Sequence, residues 1–206
     1  EPMKIRYIIT GTAVTALAIA TLGTATAQDE PVTIEATDLG GGIYMLAGQG
    51  GNIGISAGPD GVLMIDDQFD QLSDAILSKV DDLTGGQVLH YILNTHYHGD
   101  HTGGNEAMHA AGGTIVAHAN VYARLATGDE PAPAAALPVI THDHGMTFHW
   151  NGHELRMHYI PAAHTDGDTL VWISDLNIIH AGDVLFAGRY PFIDLGGGGS
   201  VDGYLA

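Results

Sequence analysis

Four side chains that can bind metal stand within six residues, directly after an apolar run. Residues 88–93 suit a buried strand, and the four side chains follow where that strand ends. His96 and His98 are two residues apart, so in an extended segment both imidazoles project to one side and can share one cation. Asp100 and His101 follow a turn and can hold a second cation close to the first. The pattern therefore predicts a two-cation site at the end of a strand.

The residue types narrow the choice of metal. The chain has no cysteine, so any ion must be held by histidine and carboxylate, and stability must come from the core or a metal rather than from disulfides. Nitrogen and oxygen ligands without sulfur suit zinc, and iron and manganese are the alternatives. The chain contains 13 histidines, yet we estimate that its composition would produce this motif by chance at only roughly a few in a thousand.

Short apolar runs separated by glycine-rich turns predict strands at residues 42–46, 52–57, 62–65, 88–93, 114–117, 146–150, 154–160, 169–173 and 177–180. Helical periodicity predicts helices at residues 70–83, 104–111 and 120–126, with another beginning near Ser200. Residues 128–138 are rich in proline and alanine and predict an exposed connector. This order of strands and helices predicts an α+β fold in which two sheets pack face to face with helices outside.

The first residues have the pattern of a secretory signal peptide. Lys4 and Arg6 form a basic region, residues 8–22 are apolar, and residues 25–27 are small. A membrane anchor is the alternative, but the apolar run is short and interrupted by threonine. We therefore expect residues 1–27 to be a signal peptide, with Glu1 and Pro2 as a remnant of added residues. Residues 28–206 then form one domain of a secreted, periplasmic protein.

The charge balance restricts the partners. The formal net charge is −18, and such a field repels nucleic acid and anionic membrane surfaces. We interpret the acidity as a means of staying soluble in a salty habitat. The expected partner is a small-molecule substrate, with no nucleic-acid or membrane partner.

The run His-Tyr-His-Gly-Asp-His at residues 96–101 resembles the signature of the metallo-β-lactamase superfamily. Two later segments resemble the same family in the same order. Residues 161–168 contain His164, and residues 180–183 end at Asp183. The resemblance extends from about Ile34 to the end of the chain, and it implies an αββα sandwich with the metals at one edge of the two sheets.

The resemblance implies two zinc ions, with these ligands: His96, His98 and His164 for the first, Asp100 and His101 for the second, and Asp183 bridging both. It implies a hydrolase in which a metal-bound hydroxide cleaves an ester, thioester, lactone or amide, with β-lactams among the candidates. Asp100 would also act as a catalytic residue by orienting the hydroxide and moving a proton. True β-lactamases generally have Cys or Ser at the position of Asp183, so this residue favours the glyoxalase II, lactonase and general hydrolase branches.

One feature departs from the family. Its members usually place a further histidine on the second zinc, beyond the bridging aspartate, but here no histidine follows His180. We interpret the chain as a C-terminally truncated sandwich whose second zinc position is weakened or empty. A complete protein that lacks this ligand is the alternative. An incomplete edge would favour an oligomer.

Two other function classes compete with a zinc hydrolase. One is an iron-containing redox member of the superfamily, and the other is a truncated form that binds metal but is catalytically impaired. The type of metal bound separates the first, and comparison with a C-terminally extended chain separates the second.

Several further residues have two interpretations each. Asp66 or Asp67 either hydrogen bonds a ligand histidine or forms a turn. His118 either approaches the site or caps a helix. Arg189 either contacts an anionic substrate group or pairs with an acid. Five other histidines are predicted to lie on the surface: His142, His144, His149, His153 and His158.

Overall fold

The computed structural model describes residues 32–128 and 130–206. The predicted signal peptide, residues 1–27, lies outside these residues. No helix in the described part of the chain is both long and apolar enough to cross a membrane.

Within the described residues, eleven strands form two sheets. The first sheet follows chain order: β1 (Glu35–Gly40), β2 (Ile43–Ala47), β3 (Ile53–Gly58), β4 (Gly61–Ile65), β5 (Leu89–Leu93), β6 (Thr114–His118) and β7 (Ile140–His142). The second sheet has the spatial order β11-β10-β9-β8: β8 (Gly145–Trp150), β9 (His153–Tyr159), β10 (Thr169–Ile173) and β11 (Ile178–His180). Strands β1 to β4 form an antiparallel meander, β4 to β7 are parallel, and the second sheet is antiparallel throughout.

The α-helices of the described residues are α1 (Ser73–Thr84), α2 (Gly99–Thr102), α3 (Asn105–Ala110), α4 (Ala119–Thr127) and α5 (Val201–Leu205). The predicted strands and helices are confirmed, with ends that differ by a few residues. Strands β1 and β7 were not predicted. All six residues of β1 are exposed, and β7 has only three residues, so neither has the apolar alternation that reveals a strand from sequence.

The two faces of the first sheet bury separate parts of the core. Val62 and Met64 on β4 pack in the layer that contains Ile76 of α1. Leu63 and Ile65, which alternate with them, pack in the layer that contains β9 and β10 of the second sheet. Each fully buried side chain of this size contributes about 1.5–3 kcal/mol. This arrangement confirms the predicted α+β sandwich of two packed sheets.

The loops that carry the predicted ligands meet at one edge of the sandwich. Strands β4 and β5 are parallel, so the segments after their carboxyl ends lie side by side. In the second sheet, the loop from β9 to β10 and the end of β11 lie at this same edge. The backbone N–H of Thr169 donates to the carbonyl oxygen of Thr95 (2.8 Å), which joins the two sheets here.

Candidate metal centre

Three histidine nitrogens converge on one point between the sheets. His98 Nδ1 lies 3.1 Å from His96 Nε2 and 2.9 Å from His164 Nε2. His96 and His98 come from the segment after β5, whereas His164 comes from the loop between β9 and β10. Both His96 and His164 are only 1% exposed. The first sheet and the second sheet therefore each contribute to this group.

Hydrogen-bond acceptors on the outer side of two of these rings determine where the protons are. His164 Nδ1 lies 2.8 Å from the carbonyl oxygen of Phe192, and His98 Nε2 lies 2.9 Å from Asp194 Oδ2. A carbonyl and a carboxylate can only accept, so the outer nitrogens carry the protons and the inner nitrogens carry lone pairs. Two lone pairs that face each other at 2.9 Å repel unless a cation lies between them.

The third ring follows the same logic. The hydroxyl of Thr95 donates to Asp66 Oδ2 (2.8 Å), which leaves Thr95 Oγ1 as an acceptor for His96 Nδ1 at 3.1 Å. His96 Nε2 therefore also presents a lone pair to the centre. Burial, followed by the nearby imidazoles of His101 and His164, holds the pKa of His96 well below its usual value. A neutral imidazole is the form that binds a metal.

A second group lies beside the first. His101 Nε2 is 3.1 Å from Asp183 Oδ1 and 3.7 Å from Asp100 Oδ2. Asp183 also reaches the first group, because its Oδ2 is 3.7 Å from His164 Nε2. The ligand atoms of His96, His101 and Asp183 lie within 4.8 Å of one another. The structure thus brings all six predicted ligands together, with Asp183 between the two groups.

The electrostatics of the second group demand positive charge. His101 Nε2 is buried and forms no hydrogen bond within the described residues. Burial by itself lowers the pKa of His101, but the carboxylates of Asp66 and Asp183 outweigh it and raise this pKa to about 10. The pKa of Asp183 is raised by burial and lowered more strongly by His101 and His164, so it lies below its usual value. Either a proton or a metal ion satisfies such a position.

Asp66 contacts His101 directly and His96 through Thr95. Its Oδ1 accepts from the backbone N–H of Thr95 (2.7 Å), and its Oδ2 is 2.7 Å from His101 Nδ1. The expected contact between one of the two aspartates after β4 and a candidate ligand histidine is thus made by Asp66. Asp67 instead accepts from the backbone N–H of Gly104 (2.9 Å). Burial and the charge of Asp66 raise the pKa of Asp67 well above its usual value.

The loop that carries His164 is held by two carboxylates. Asp168 accepts from the backbone N–H of His164 (2.7 Å) and from that of Thr165 (2.9 Å). Asp166 forms a bidentate ion pair with Arg124 of α4, with N···O distances of 2.6 and 2.7 Å. These contacts fix the ring of His164 in place while its Nε2 remains directed at the centre.

Sequence reasoning missed the contacts that Phe192 and Asp194 make on the outer side of the histidines. Asp194 lies 96 positions from its partner His98, and Phe192 lies 28 positions from its partner His164, so no local pattern reveals either pairing. Phe192 acts through its backbone carbonyl, which has no sequence signature. The one sequence signal for Asp194 was its position shortly before the glycine run at residues 196–199.

The other histidines divide between the alternatives. His118 caps α4, since its Nδ1 accepts from the backbone N–H of Asn120 (3.2 Å), so the capping interpretation is correct. His144, His149 and His158 are exposed as predicted. The surface prediction is wrong for His142, which is 8% exposed, because β7 pairs it with His118 of β6 and the two rings lie 5.5 Å apart.

A cavity of about 700 Å³ opens beside the second group. Asp100, His101 and Asp183 line it together with apolar residues of β2, β3 and β10. Arg189 also lines it, and Arg189 forms no ion pair within the described residues, unlike Arg124 and Arg156. A ligand in this cavity would therefore meet the second group, which includes Asp183, and the positive charge of Arg189.

The donor set fits metal ions at both positions. Imidazole nitrogens with fixed lone pairs, two carboxylates and no sulfur are the ligands that zinc accepts in hydrolytic sites. The geometry supplies three convergent nitrogens for one ion and a nitrogen with two carboxylates for another.

Comparison with known proteins agrees with this geometry. A family model described as the metallo-beta-lactamase superfamily matches residues 48–206. A hydroxyacylglutathione hydrolase of Methylococcus capsulatus is 37% identical over 103 residues, which are 50% of this chain and 36% of that protein. One of Rhodospirillum rubrum is 30% identical over 117 residues, which are 56% of this chain and 41% of that protein. The matched region thus spans less than half the length of these relatives.

Solved structures show the same fold. The subclass B3 metallo-beta-lactamase BJP-1 of Bradyrhizobium japonicum has a TM-score of 0.65 at 22% identity, covering 84% of this chain and 71% of that one. A metallo-beta-lactamase of Pontibacter korlensis has a TM-score of 0.65 at 19% identity, covering 77% and 75%. Together with the family match over residues 48–206, the two sheets and the histidine run place this chain in the metallo-β-lactamase superfamily.

Proposed function

We propose that this protein is a zinc-dependent hydrolase that cleaves an acyl bond, with a thioester as the leading substrate class. Esters, lactones and amides are chemically related alternatives. The observation that carries the proposal is the convergence of three imidazole lone pairs beside a group of two carboxylates and a fourth imidazole. Hydrolysis is the chemistry that such a donor set supports.

His96, His98 and His164 would hold the first ion. Asp100 and His101 would hold the second, with Asp183 shared between them. Zinc bound there supplies Lewis acidity and makes water acidic enough to lose a proton near neutral pH.

The protein's own residues would orient the reactants and move the proton. Asp100 is one-third exposed, at 33%, and lines the cavity, so it can orient a water molecule against a substrate there. The water oxygen forms a bond to the acyl carbon while Asp100 accepts its proton. The bond to the sulfur or oxygen leaving group then breaks, and this proton passes to the leaving group.

The substrate class rests on the relatives and on one residue. The named relatives are hydroxyacylglutathione hydrolases, and an acylated glutathione is a thioester. True β-lactamases generally have Cys or Ser at the position that Asp183 occupies in this chain. We therefore expect weak hydrolysis of β-lactams and faster hydrolysis of hydroxyacyl thioesters.

Metal analysis tests the site. We expect zinc in the purified protein by elemental mass spectrometry, and loss of zinc from the first position in His96→Ala and His98→Ala variants. His149→Ala, which alters an exposed histidine of β8, is the matched control and should keep the parent's zinc content. Absence of zinc, or equal zinc in all four proteins, would contradict the proposal. Iron in place of zinc would favour the redox class.

Activity tests the reaction. We expect the zinc-loaded protein to hydrolyse a hydroxyacyl glutathione thioester, and the metal-free protein to be inactive. Asp100→Asn should reduce kcat by about 10²–10⁴-fold if this residue moves the proton. Equal rates for the metal-free and zinc-loaded proteins would rule out a metal-dependent hydrolase.

A further inference from the structure

Asp194 contacts the outer side of a candidate ligand without touching the centre itself. It lies in the 192–199 loop, which follows Asp183 along the chain and precedes α5. We infer that Asp194 is a positioning residue that directs His98 Nδ1 towards the first metal position. The inference rests on the proposed metal centre. It concerns His98, whose outer nitrogen faces Asp194.

The carboxylate of Asp194 is surrounded by donors. Its Oδ2 is 2.9 Å from His98 Nε2 and accepts from the hydroxyl of Tyr97 (2.6 Å). Its Oδ1 accepts from the backbone N–H of Gly197 (2.8 Å). Both carboxylate oxygens therefore face donors and act as acceptors, so the proton of neutral His98 stays on Nε2.

Tyr97 keeps the carboxylate in one orientation. The hydroxyl of Tyr97 donates to the same carboxylate oxygen that faces His98 Nε2. The guanidinium of Arg124 lies 5.1 Å from the centre of the Tyr97 ring. Arg124 is itself paired with Asp166. The oxygen that faces His98 is thus held by a second donor and cannot rotate away without breaking that bond.

The same loop also determines the proton of a second histidine. The backbone N–H of Asp194 donates to the carbonyl oxygen of His164 (2.9 Å), and the carbonyl of Phe192 faces His164 Nδ1 (2.8 Å). One segment therefore sets the tautomer of a histidine after β5 and of another between β9 and β10. To set both tautomers, the loop must lie within hydrogen-bond distance of both His98 and His164.

The glycines of the loop make this close approach geometrically feasible. A Cβ atom on Gly199 would collide with the carbonyl oxygen of His164, and one on Gly197 would collide with the Asp194 carboxylate. Both residues are buried. The glycine run at residues 196–199 thus lets the backbone pack closely against the loop that carries His164.

The tautomer can be measured without any metal. In zinc-free parent protein, nitrogen NMR of the imidazoles in their neutral form should show His98 protonated on Nε2. A parent protein in which neutral His98 carries its proton on Nδ1 would overturn the inference. This outcome does not depend on any variant folding correctly.

The variant Asp194→Asn tests the consequence for binding. An amide offers one acceptor oxygen to the three donors that share two oxygens in the parent, so the Nε2-protonated fraction of His98 should fall. The affinity of the first position for zinc, measured by competition with a chromophoric chelator, should fall about 10–100-fold. Asp175→Asn is the matched control, because it removes the same charge from another carboxylate–histidine pair, with His153 (2.6 Å). It should leave zinc affinity unchanged.

The outcomes separate this inference from the proposed function. If the parent binds no zinc, the metal centre itself fails. If the parent binds zinc and Asp194→Asn binds it equally tightly, only the positioning role fails. An equal loss of affinity in Asp194→Asn and Asp175→Asn would show an effect of net charge, and would also overturn the role. Asp194→Glu, which keeps the charge, should recover part of the affinity if acceptance from His98 is what matters.

Discussion

At the scale of single residues, Asp66 stands out because it is completely buried and bonded to several donors. It accepts from the backbone and the hydroxyl of Thr95 and from His101, and its φ of 60° lies in the left-handed region. Neither the alternation of β4 nor the histidine run would reveal how many groups depend on it.

We expect Asp66→Ala to lower the free energy of unfolding of the zinc-free protein by at least about 2 kcal/mol, because buried donors lose their acceptor. Denaturant unfolding measures this change. Asp82→Ala, on the exposed side of α1, should change stability by less than about 0.5 kcal/mol. If the two variants were equally stable, Asp66 would not have the anchoring role described above.

Arg189 supplies a different residue-scale prediction, which rests on the proposed function. It lines the cavity beside the candidate ligands and stacks near Phe186, at 5.8 Å from the ring centre. Because no carboxylate of the described residues pairs with it, Arg189 is available for an anionic group of the substrate.

Arg189→Ala should raise KM for a carboxylate-bearing thioester by about tenfold, which corresponds to about 1.4 kcal/mol, and should leave KM for the neutral amide analogue unchanged. Arg156→Ala, on β9 and paired with Glu154, is the control. Steady-state kinetics with both substrates measure these KM values. A rise in KM for both substrates alike would show a role in shape and not in charge.

At the scale of elements, a single histidine joins three turns of the sandwich. His153, which begins β9, has Nδ1 at 2.6 Å from Asp175 Oδ2 and Nε2 at 2.7 Å from the carbonyl oxygen of Gly41. Asp175 lies between β10 and β11, and Gly41 lies between β1 and β2. Both partners can only accept, so the doubly protonated imidazolium fits best. The bond to Asp175 raises the pKa of His153.

This contact makes stability depend on pH. Because the folded pKa is raised, its contribution is fully present below the unfolded pKa of about 6.5 and is lost as pH rises through the folded value. We expect His153→Gln to be less stable than the parent at pH 6 and closer to it at pH 9, by denaturant unfolding of zinc-free protein. His149→Gln should track the parent at both values. A difference that grows with pH would reverse the sign and contradict the assignment.

At the scale of the whole molecule, negative charge is in large excess over positive charge. The formal net charge is −18, so folding brings like charges together. Sodium chloride at about 0.5 M, where the screening length is only a few ångströms, should raise the Tm of the zinc-free protein by several degrees relative to low salt. Differential scanning calorimetry measures this. A Tm that does not change between these salt concentrations would show that the acidic side chains are too dispersed to repel.

The sequence by itself determined the main strands and the identity of the candidate ligands. Apolar alternation and glycine-rich turns are local properties, so β2 to β6 and β8 to β11 could be predicted from neighbouring residues. His96, His98, Asp100 and His101 are adjacent in the chain and reveal a site through their spacing. His164 and Asp183 required resemblance to a family, because their segments have little meaning alone.

Only the tertiary structure decided which groups surround those ligands. The pairs of His98 with Asp194, His164 with Phe192 and His101 with Asp66 join segments 96, 28 and 35 residues apart. Short-range patterns carry no information on such contacts, since they depend on which loops the two sheets bring to one edge. For the same reason, the pairing of β1 with β2, the pairing of β7 with β6 and the burial of His142 became evident only once the sheets were assembled.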